Sequence, residues 1–584
     1  MLTHLYGKHM PRYIPTHATP MHFAVACALV ALFNTQAMAQ AVPSRIVPQT
    51  VEPGLLQERL RGQEKRPELD TTPIITNQPE APASQGETEG ASFQLNDILL
   101  EDVTTFPLLE LKALYGDKLN KPTTLGGLQA IANSITAYYR NQGYILSRAI
   151  LPAGQEIKNG VVTIRVVEGF IDDVVFEGAE QQSSFLLKSY AENITNERPL
   201  KNETLERYLL LIDDISGATA RGVLSASPST LGASRLTVSI LHKPVDANLT
   251  VDNRGSRFLG PIQTSATVAT NSALGLSERL QVRGLIASEF DELRFIEGTY
   301  QQPVGPEGTT LRGVYSYAET RPAGSLQPLD IEGQSNAFSV AARHPFLRSR
   351  RENLFGDFGF RYRDSTTDVL STELYEDNIR TLYVGGAYDV LDRLEGVNRI
   401  DVEAVQGVDG LGANNQGDAR SRSNADSDFT RFTAQYTRLQ PLDNAFSAFV
   451  GVSGQYALDP LFASEEFAVG GAAYGSAYDP AEITGDHGIA SRAELRYSAA
   501  QPEWYVDIYQ LYAFYDVGKV WNRDTLIGED NKASLTSTGV GLRFTLTDNI
   551  AGSAEIAVPL TRDVSAEGSD GDNLRGFFSL SYIY

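Results

Sequence analysis

Residues 311–318 read LRGVYSYA, and residues 446–452 read FSAFVGV. In both stretches apolar or aromatic residues alternate with small or polar ones, which is the two-residue period of a β-strand with unlike faces. From about residue 247 onward this pattern recurs and helical periodicity disappears, which predicts about sixteen strands of roughly ten residues or more. The predicted strands begin near Ala247, Ile262, Ser277, Glu292, Thr309, Glu332, Arg351, Asn378, Val397, Phe429, Ala445, Ile489, Tyr505, Leu535, Ile550 and Leu574.

The connections between these strands alternate in length. Those after even-numbered strands have only a few residues, as at 347–349, 393–396, 443–444 and 548–549, and only the first pairs lack the contrast. An even number of strands with long loops on one side and short turns on the other indicates an outer-membrane β-barrel. A soluble β-sandwich is the alternative, but it does not require this asymmetry. The predicted long loops are residues 321–330, 364–374, 407–428, 458–488, 521–533 and 561–573.

The last predicted strand, residues 576–584, reads GFFSLSYIY. Its alternation places Phe578, Leu580, Tyr582 and Tyr584 on one face, which we expect to contact lipid. Closing the barrel requires this strand to pair with the first one, near residues 249–253, because an open sheet edge is not tolerated in a membrane.

The N-terminal region has the features of an exported protein. Residues 1–39 contain a positive start, an apolar core at residues 22–33 and an Ala-Met-Ala cleavage site, which together predict a signal peptide. Within residues 40–92, residues 53–61 (PGLLQERLR) predict one short helix that opens with proline. Residues 66–90 predict a flexible linker rich in proline, glutamate and threonine.

Residues 93–169 and 170–243 form a tandem repeat of predicted elements. Each predicts the order strand, helix, helix, strand, strand, and neither contains a catalytic cluster or phosphate loop. Each small mixed sheet is expected to leave edge strands that pair with an extended client in the periplasm. A passive spacer is the alternative.

Composition excludes several classes of function. The only cysteine, Cys27, lies in the predicted signal peptide, which argues against disulfides, cysteine metal sites and thiol catalysis in the mature chain. The net charge of −23 argues against a nucleic-acid partner. No metal, cofactor or enzymatic activity is expected. His487 lies near Asp486 and Ser491 in sequence, but a polar loop is favoured there over a catalytic triad.

Local patterns in the predicted barrel resemble those of a known family. Phe514, Asp516 and Gly518 fit the F-x-D-x-G pattern on the thirteenth strand of two-partner secretion transporters, relatives of the haemolysin activator and filamentous haemagglutinin transporters in the Omp85 superfamily. Residues 538–543 (TGVGLR) resemble the strand that follows it there. The resemblance implies a signal peptide, a short helix and linker, two α+β POTRA domains (93–169 and 170–243) and a sixteen-stranded antiparallel transmembrane barrel (247–584).

The connection between strands eleven and twelve, residues 458–488, resembles that family's loop six and is called loop six here. The family's tip usually reads V-R-G-Y or G-R-G-Y, whereas Ser476 and Ala477 stand here in place of Arg and Gly. The missing Arg would pair with Asp516. Lys519 and Arg543 are the nearest candidates in sequence on the barrel wall to replace it. If Asp516 lacks a strong partner, Ser476→Arg is expected to quieten the channel. The alternative is a lumen wet enough for Asp516 to need no partner. The implied site residues of loop six are Gly470, Gly471, Tyr474, Gly475, Ser476, Tyr478, Gly485 and Asp486.

The resemblance implies a secretion function. The transporter would capture an unfolded partner, a large β-helical haemagglutinin, haemolysin or adhesin, through its POTRA domains and pass it to the cell surface. The predicted helix and loop six are the candidates for blocking the lumen at rest. The final strand would be read by the barrel-assembly machinery during insertion among outer-membrane lipids. An assembly factor for other barrels is the alternative, and a passive porin does not explain the tandem domains.

Overall fold

The fold was analysed in a computed structural model. It describes residues 47–61, 75–77, 92–178, 180, 182–230, 232–415, 417–501, 506–525, 531–570 and 573–584. The predicted signal peptide lies outside these residues. Across the described ranges, no helix is long and apolar enough to cross a bilayer.

The described part of the segment before the POTRA domains contains a 3-10 helix, Gln49–Val51, followed by an α-helix and a strand. Helix α1, Pro53–Arg61, has the predicted bounds. Most of the predicted linker lies outside the described residues. However, Ile75–Asn77 forms strand β1 and pairs in parallel with residues 222–224 of the second POTRA domain. At these residues the prediction of a flexible linker was wrong. Three residues are too few to show the alternation of a strand, and their partner strand lies in a neighbouring domain.

Both POTRA domains pack two helices against a small mixed sheet. The first has the sheet order β3-β6-β5, in which β3 and β6 are parallel, and a separate pair β2-β4; the second has the order β1-β8-β9-β7. Elements of the first domain are β2 Phe93–Leu95, β3 Asp97–Glu101, α2 Leu108–Lys112, β4 Lys121–Thr123, α3 Leu125–Asn141, β5 Arg148–Ile150 and β6 Val161–Val167. Elements of the second are β7 Phe170–Glu177, α4 Ser184–Asn196, α5 Asn202–Asp213, β8 Ala218–Ala226 and β9 Ala233–His242.

Sixteen antiparallel strands close into a barrel, which confirms the predicted fold class. They are β10 Val245–Asp252, β11 Gln263–Asn271, β12 Arg279–Ala287, β13 Leu293–Val304, β14 Thr309–Thr320, β15 Ile331–Arg348, β16 Glu352–Val369, β17 Thr372–Leu391, β18 Val397–Gly407, β19 Thr430–Pro441, β20 Phe446–Ala457, β23 His487–Gln501, β24 Val506–Trp521, β25 Lys532–Thr547, β26 Ile550–Pro559 and β27 Arg575–Ile583. Loop six contributes two short strands of its own, β21 Phe467–Val469 and β22 Ile483–Gly485.

One predicted long loop is wrong. Residues 364–374 continue strands β16 and β17, and only Leu370 and Ser371 form the turn between them. Both turn residues have positive φ, 51° and 58°, as a tight hairpin turn requires. Residues 364–368 are polar and were therefore predicted to form a loop. They form a strand because β-pairing outside a membrane does not require an apolar face.

The second POTRA domain docks against short turns at one end of the barrel. Arg348, at the end of β15, makes two hydrogen bonds of 2.7 Å to the carboxylate of Asp214, which caps α5. Tyr208 of α5 donates to Glu307 in another turn at 2.9 Å. A Cβ on Gly308, whose φ is +80°, would lie 2.4 Å from Leu211. These contacts fix α5 beneath the barrel mouth.

Candidate functional site: loop six, helix α1 and the lumen wall

Strand β24 presents two different faces. Tyr512, Phe514, Asp516 and Gly518 are buried on its inner side, whereas odd-numbered neighbours such as Lys519 are exposed on the outer side. The period of two therefore puts the F-x-D-x-G side chains into the lumen. Lys519 faces away from Asp516, so it is not the replacement partner that its position in sequence suggested.

Glycines let aromatic rings and loop six approach the wall. A Cβ on Gly539 would lie 2.7 Å from the Phe514 ring, and one on Gly541 would lie 2.3 Å from the Tyr512 ring. A Cβ on Gly518 would lie 2.4 Å from Val469 in β21 of loop six. Since real side chains do not approach this closely, these positions carry glycine so that the rings lie flat and loop six rests on the wall.

The tip of loop six is bonded to the strand-thirteen carboxylate. The backbone N–H of Ser476 donates to Asp516 Oδ2 at 2.8 Å, and Ser537 Oγ donates to the same oxygen at 3.1 Å. Both Ser476 and Asp516 are fully buried. A main-chain hydrogen bond therefore joins loop six to strand β24, without a charged side chain on the loop.

The cation beside Asp516 is Arg492, on the neighbouring strand β23. Arg492 stands directly opposite Asp516 in the strand register, and its Nη1 lies 3.4 Å from Asp516 Oδ2. The same nitrogen donates to Ser476 Oγ at 2.6 Å, while Nε donates to Glu494 at 2.6 Å. Its guanidinium also stacks 4.2 Å above the Phe514 ring. A wall arginine thus holds both the carboxylate and the loop tip.

The other proposed replacement has different partners. Arg543 donates to Glu494 at 3.0 and 3.1 Å and to Gln510 at 2.8 Å. A second arginine that the sequence reading missed, Arg254, donates to the carbonyl of Ser476 at 3.2 Å and forms an ion pair of 2.9 Å with Glu555. The cation beside Asp516 is thus Arg492, and neither Lys519 nor Arg543 takes that place.

The remaining tip residues fold loop six into tight turns. Gly470, Gly471 and Gly475 have φ values of 129°, 84° and 92°, a region that strongly favours glycine. The N–H of Gly470 donates to the carbonyl of Tyr474 at 2.9 Å. Tyr478 is buried and its hydroxyl donates to the carbonyl of Thr536 at 3.0 Å. These turns hold the tip close against strand β25.

The base of loop six is joined to the neighbouring outer loops. Asp486 is fully buried and accepts hydrogen bonds from the Arg422 guanidinium and from the backbone N–H of Arg523 at 2.9 Å. Arg422 lies in the loop between β18 and β19, and it also pairs with Glu466 at 3.3 Å. Gly485 is packed against the backbone of Trp521, where a Cβ would lie 3.1 Å away. One buried carboxylate thus connects three loops.

Helix α1 lies inside the barrel. Leu56 and Leu60 belong to a buried apolar cluster with wall residues of several strands, including Leu285 and Phe295. Its polar side faces other wall groups. Gln57 Nε2 donates to the carbonyl of Ser335 at 3.2 Å, and the Ser335 hydroxyl donates back to Gln57 at 2.9 Å.

Helix α1 is also hydrogen-bonded to the barrel wall at both of its ends. Tyr375 donates to Glu52 at 2.7 Å, and Arg283 donates to the carbonyl of Leu60 at 3.2 Å. Among the described residues, no group of three or more His, Cys, Asp or Glu is arranged to hold a metal ion.

Comparison with known proteins identifies the family. Residues 232–544, more than half of the chain, match the model of the haemolysin secretion/activation protein family ShlB/FhaC/HecB. Residues 93–169 match the ShlB-type POTRA domain. The chain belongs to the ShlB/FhaC/HecB family.

Curated relatives cover most of this family member. It is 23% identical over 523 residues to the heme/hemopexin transporter protein HuxB of Haemophilus influenzae strain 86-028NP, spanning 88% of this chain and 92% of that protein. It is also 23% identical over 487 residues to the outer membrane transporter CdiB of Escherichia coli O6:K15:H31, spanning 81% and 80%.

Solved structures show the same fold. CdiB from Escherichia coli superposes with a TM-score of 0.69 at 22% identity, covering 94% of this chain and all of that one. CdiB from Acinetobacter baumannii gives 0.62 at 18% identity. The protein is thus an outer-membrane transporter of two-partner secretion, a non-enzymatic channel with POTRA domains whose partner is a secreted exoprotein. This favours secretion over the assembly-factor alternative.

Proposed function

We propose that the transporter captures its partner along the sheet edges of its POTRA domains while that partner is still unfolded. The partner is an exoprotein of the haemagglutinin, haemolysin or adhesin kind, which is β-helical once it has folded. The supporting observation is β1: three linker residues lie as a parallel strand on β8, with Thr76 opposite Val223. An edge that accepts an extended segment of its own chain has the geometry to accept a client strand. In this proposal β1 must leave β8 before a client takes that edge.

Two lumen elements would then block the channel at rest. Helix α1 and the tip of loop six are both seated on the inner wall by the contacts described above, and the proposal requires each to withdraw when a client enters. A barrel of this strand number has a lumen wide enough for an extended chain. Folding of the client outside the cell would make its return unfavourable, because its apolar surface becomes buried there.

The proposal is tested by removing β1. Replacing residues 75–77 with three prolines abolishes backbone donors from this segment and opens the β8 edge. We expect the full-length transporter to bind the N-terminal part of its partner about fivefold more tightly, since roughly 1 kcal/mol of competing hydrogen bonding is lost. The matched control places three prolines at residues 84–86 of the same linker and should leave Kd unchanged. Unchanged or weaker binding with the first variant contradicts capture at this edge.

A further inference from the structure

Helix α1 and loop six are in direct contact inside the lumen. Gly54 of the helix faces a short 3-10 helix of loop six, Ala463–Glu465, where a Cβ on Gly54 would lie 2.6 Å from the Cβ of Ser464. Ser464 is almost fully buried. Helix α1 and loop six therefore each shield part of the other's surface from water inside the lumen.

One wall arginine pairs with a carboxylate from each of these elements. Arg363, on strand β16, donates through Nη2 to Glu58 of helix α1 and through Nη1 to Glu465 of loop six at 2.8 Å. The side chain of Arg363 is 8% exposed and that of Glu465 is 5% exposed. Glu58 lies one helical turn after Gly54, on the same face. The two carboxylates thus meet at one buried cation.

Arg363 stays on the barrel whichever element moves. Its side chain is bound by groups on both movable elements, while its own carbonyl accepts a hydrogen bond from Arg380 at 2.9 Å. Arg431, another wall residue, holds the second oxygen of Glu465 at 2.8 Å. Departure of helix α1 opens the Gly54–Ser464 contact to water, which weakens the remaining pair between Arg363 and Glu465 by raising the local dielectric.

We propose that Arg363 is a positioning residue that makes the seating of helix α1 and of loop six cooperative. With Arg363 present, helix α1 and loop six each shield the other's ion pair with Arg363 from water. The two elements therefore leave the lumen wall together. Without Arg363, Glu465 keeps Arg431, and the two elements no longer share a cation, so each can depart separately. The coupling is reciprocal: locking either element in place must retain the other to the same degree.

The test uses a helix that can be locked by a disulfide. Pro53→Cys on the helix and Gly333→Cys on strand β15 place two cysteines face to face, since a Cβ on Gly333 would lie 3.3 Å from Cγ of Pro53, and the only native cysteine, Cys27, lies in the predicted signal peptide. Spin labels attached by thiol-independent chemistry on loop six and the wall report the unseated fraction of loop six in full-length transporter without client. Oxidising the lock should lower that fraction about fivefold or more, and reduction should restore it.

Variants of the shared contact decide whether Arg363 carries the coupling. In Arg363→Met, oxidation should leave the unseated fraction of loop six unchanged, and Arg363→Lys should recover part of the response because it keeps the charge. An equal response in Arg363→Met, or no response with native Arg363, overturns the proposal. If Arg363→Met does not fold into a heat-modifiable barrel, Glu465→Gln takes its place with the same expectation. This inference rests on the proposed blocking roles, but its readout needs no client, so failure of client capture would be detected separately.

Discussion

Arg492 keeps its carboxylate partners whether or not loop six is seated, because all of them lie on barrel strands. Glu494 is on the same strand, Asp516 is opposite on β24, and Glu555 on β26 lies 3.6 Å away. To this group loop six adds the hydroxyl and backbone amide of Ser476 and the carbonyl of Ala472, which accepts a hydrogen bond from Arg492 at 3.3 Å. Withdrawal of the loop therefore breaks these hydrogen bonds and the one from Arg254 to the Ser476 carbonyl, but it strands no buried arginine, because Arg254 keeps Glu555.

This arrangement reverses the effect expected of Ser476→Arg. The new guanidinium would enter a fully buried position between Arg492 and Arg254, where the carboxylates are already paired. An uncompensated buried charge costs about 3–5 kcal/mol, so we expect loop six to leave its seat. Single-channel recordings should show larger current fluctuations. Ser476→Ala, which removes only the hydroxyl, is the control and should change them far less. A quieter channel with Ser476→Arg would contradict this assignment.

Glu168 connects the segment after strand β3 to helix α3 in the first POTRA domain. It accepts hydrogen bonds from the backbone N–H groups of Thr104 and Thr105, both at 2.9 Å, and from the Tyr139 hydroxyl at 2.8 Å. Partial burial acts to raise the pKa of Glu168, but these hydrogen bonds and one from the Thr104 hydroxyl outweigh it and lower the pKa below 4.5. Its stabilising contribution is therefore complete above that value and is lost as pH falls through the lowered pKa.

We expect Glu168→Gln to destabilise the first POTRA domain by about 1–3 kcal/mol at neutral pH, through loss of hydrogen bonds to a charged group. Hydrogen exchange of α3 and β6 measures this within the full transporter. The difference from the native chain should shrink as pH falls below about 4.5. Glu101→Gln is the matched control, since Glu101 forms an exposed pair with Arg165 worth less than about 1 kcal/mol. A pH-independent difference would show that the carboxylate charge is not responsible.

The sequence predicted which residues of β24 enter the lumen but not the partner of Asp516. Alternation fixes the face of each side chain within one strand. Arg492 lies 24 residues earlier in sequence, and only the register between β23 and β24 places it opposite Asp516. Register depends on the turn and on packing across strands, so the sequence alone did not distinguish Arg492 from Lys519 and Arg543.

At the scale of elements, α5 is the link between the periplasmic domains and the barrel. Arg348 is 4% exposed and Asp214 supplies both oxygens to it. Asp214→Asn removes the charge while keeping the size, which leaves a buried guanidinium without this partner at a cost of about 3 kcal/mol. We expect α5 to exchange its amide hydrogens faster. Asp173→Asn, in an exposed pair with Arg235, should have little effect. Equal exchange in both variants would mean that docking rests on apolar contacts.

The elements that the sequence missed are those stabilised by distant partners. Helix α1 was predicted with the observed bounds because proline and its apolar spacing are local signals. Strand β1 was not, because its order comes from β8, which is more than a hundred residues away in the chain. The β16–β17 hairpin was taken for a loop for a related reason: its outer part is polar and is held by cross-strand pairing alone.

For the whole molecule, closure of the barrel depends on the shortest pairing among its strands. Strands β10 and β27 are in register over five residues, from Asn248 opposite Ile583 to Asp252 opposite Ser579, whereas β11 and β12 share nine. On the outer face Tyr582 lies opposite Leu249. Side chains beyond the ladder reinforce it, since Asn253 Nδ2 donates to the carbonyl of Gly576 at 2.9 Å. Small losses of stability in β27 should therefore affect the assembled barrel as a whole.

The outer face of β27 provides the sharpest test of the role in barrel assembly that the sequence predicts for this strand. Phe578, Leu580, Tyr582 and Tyr584 are 43%, 50%, 51% and 60% exposed on that face, while Phe577 is buried inside. An arginine facing lipid costs about 2–4 kcal/mol near the bilayer midplane and less toward its edges. We expect Leu580→Arg to reduce the heat-modifiable form of the protein on gels of outer-membrane fractions, and with it export.

The control for this variant changes the same strand on its other side. Ser579 points inward, opposite Asp252, so Ser579→Arg adds the same charge to the polar lumen and should leave the heat-modifiable form largely intact. If both variants assemble equally, the outer face of β27 is not what directs insertion. If both fail equally, the loss reflects pairing across the β10–β27 seam and not contact with lipid or with the assembly machinery.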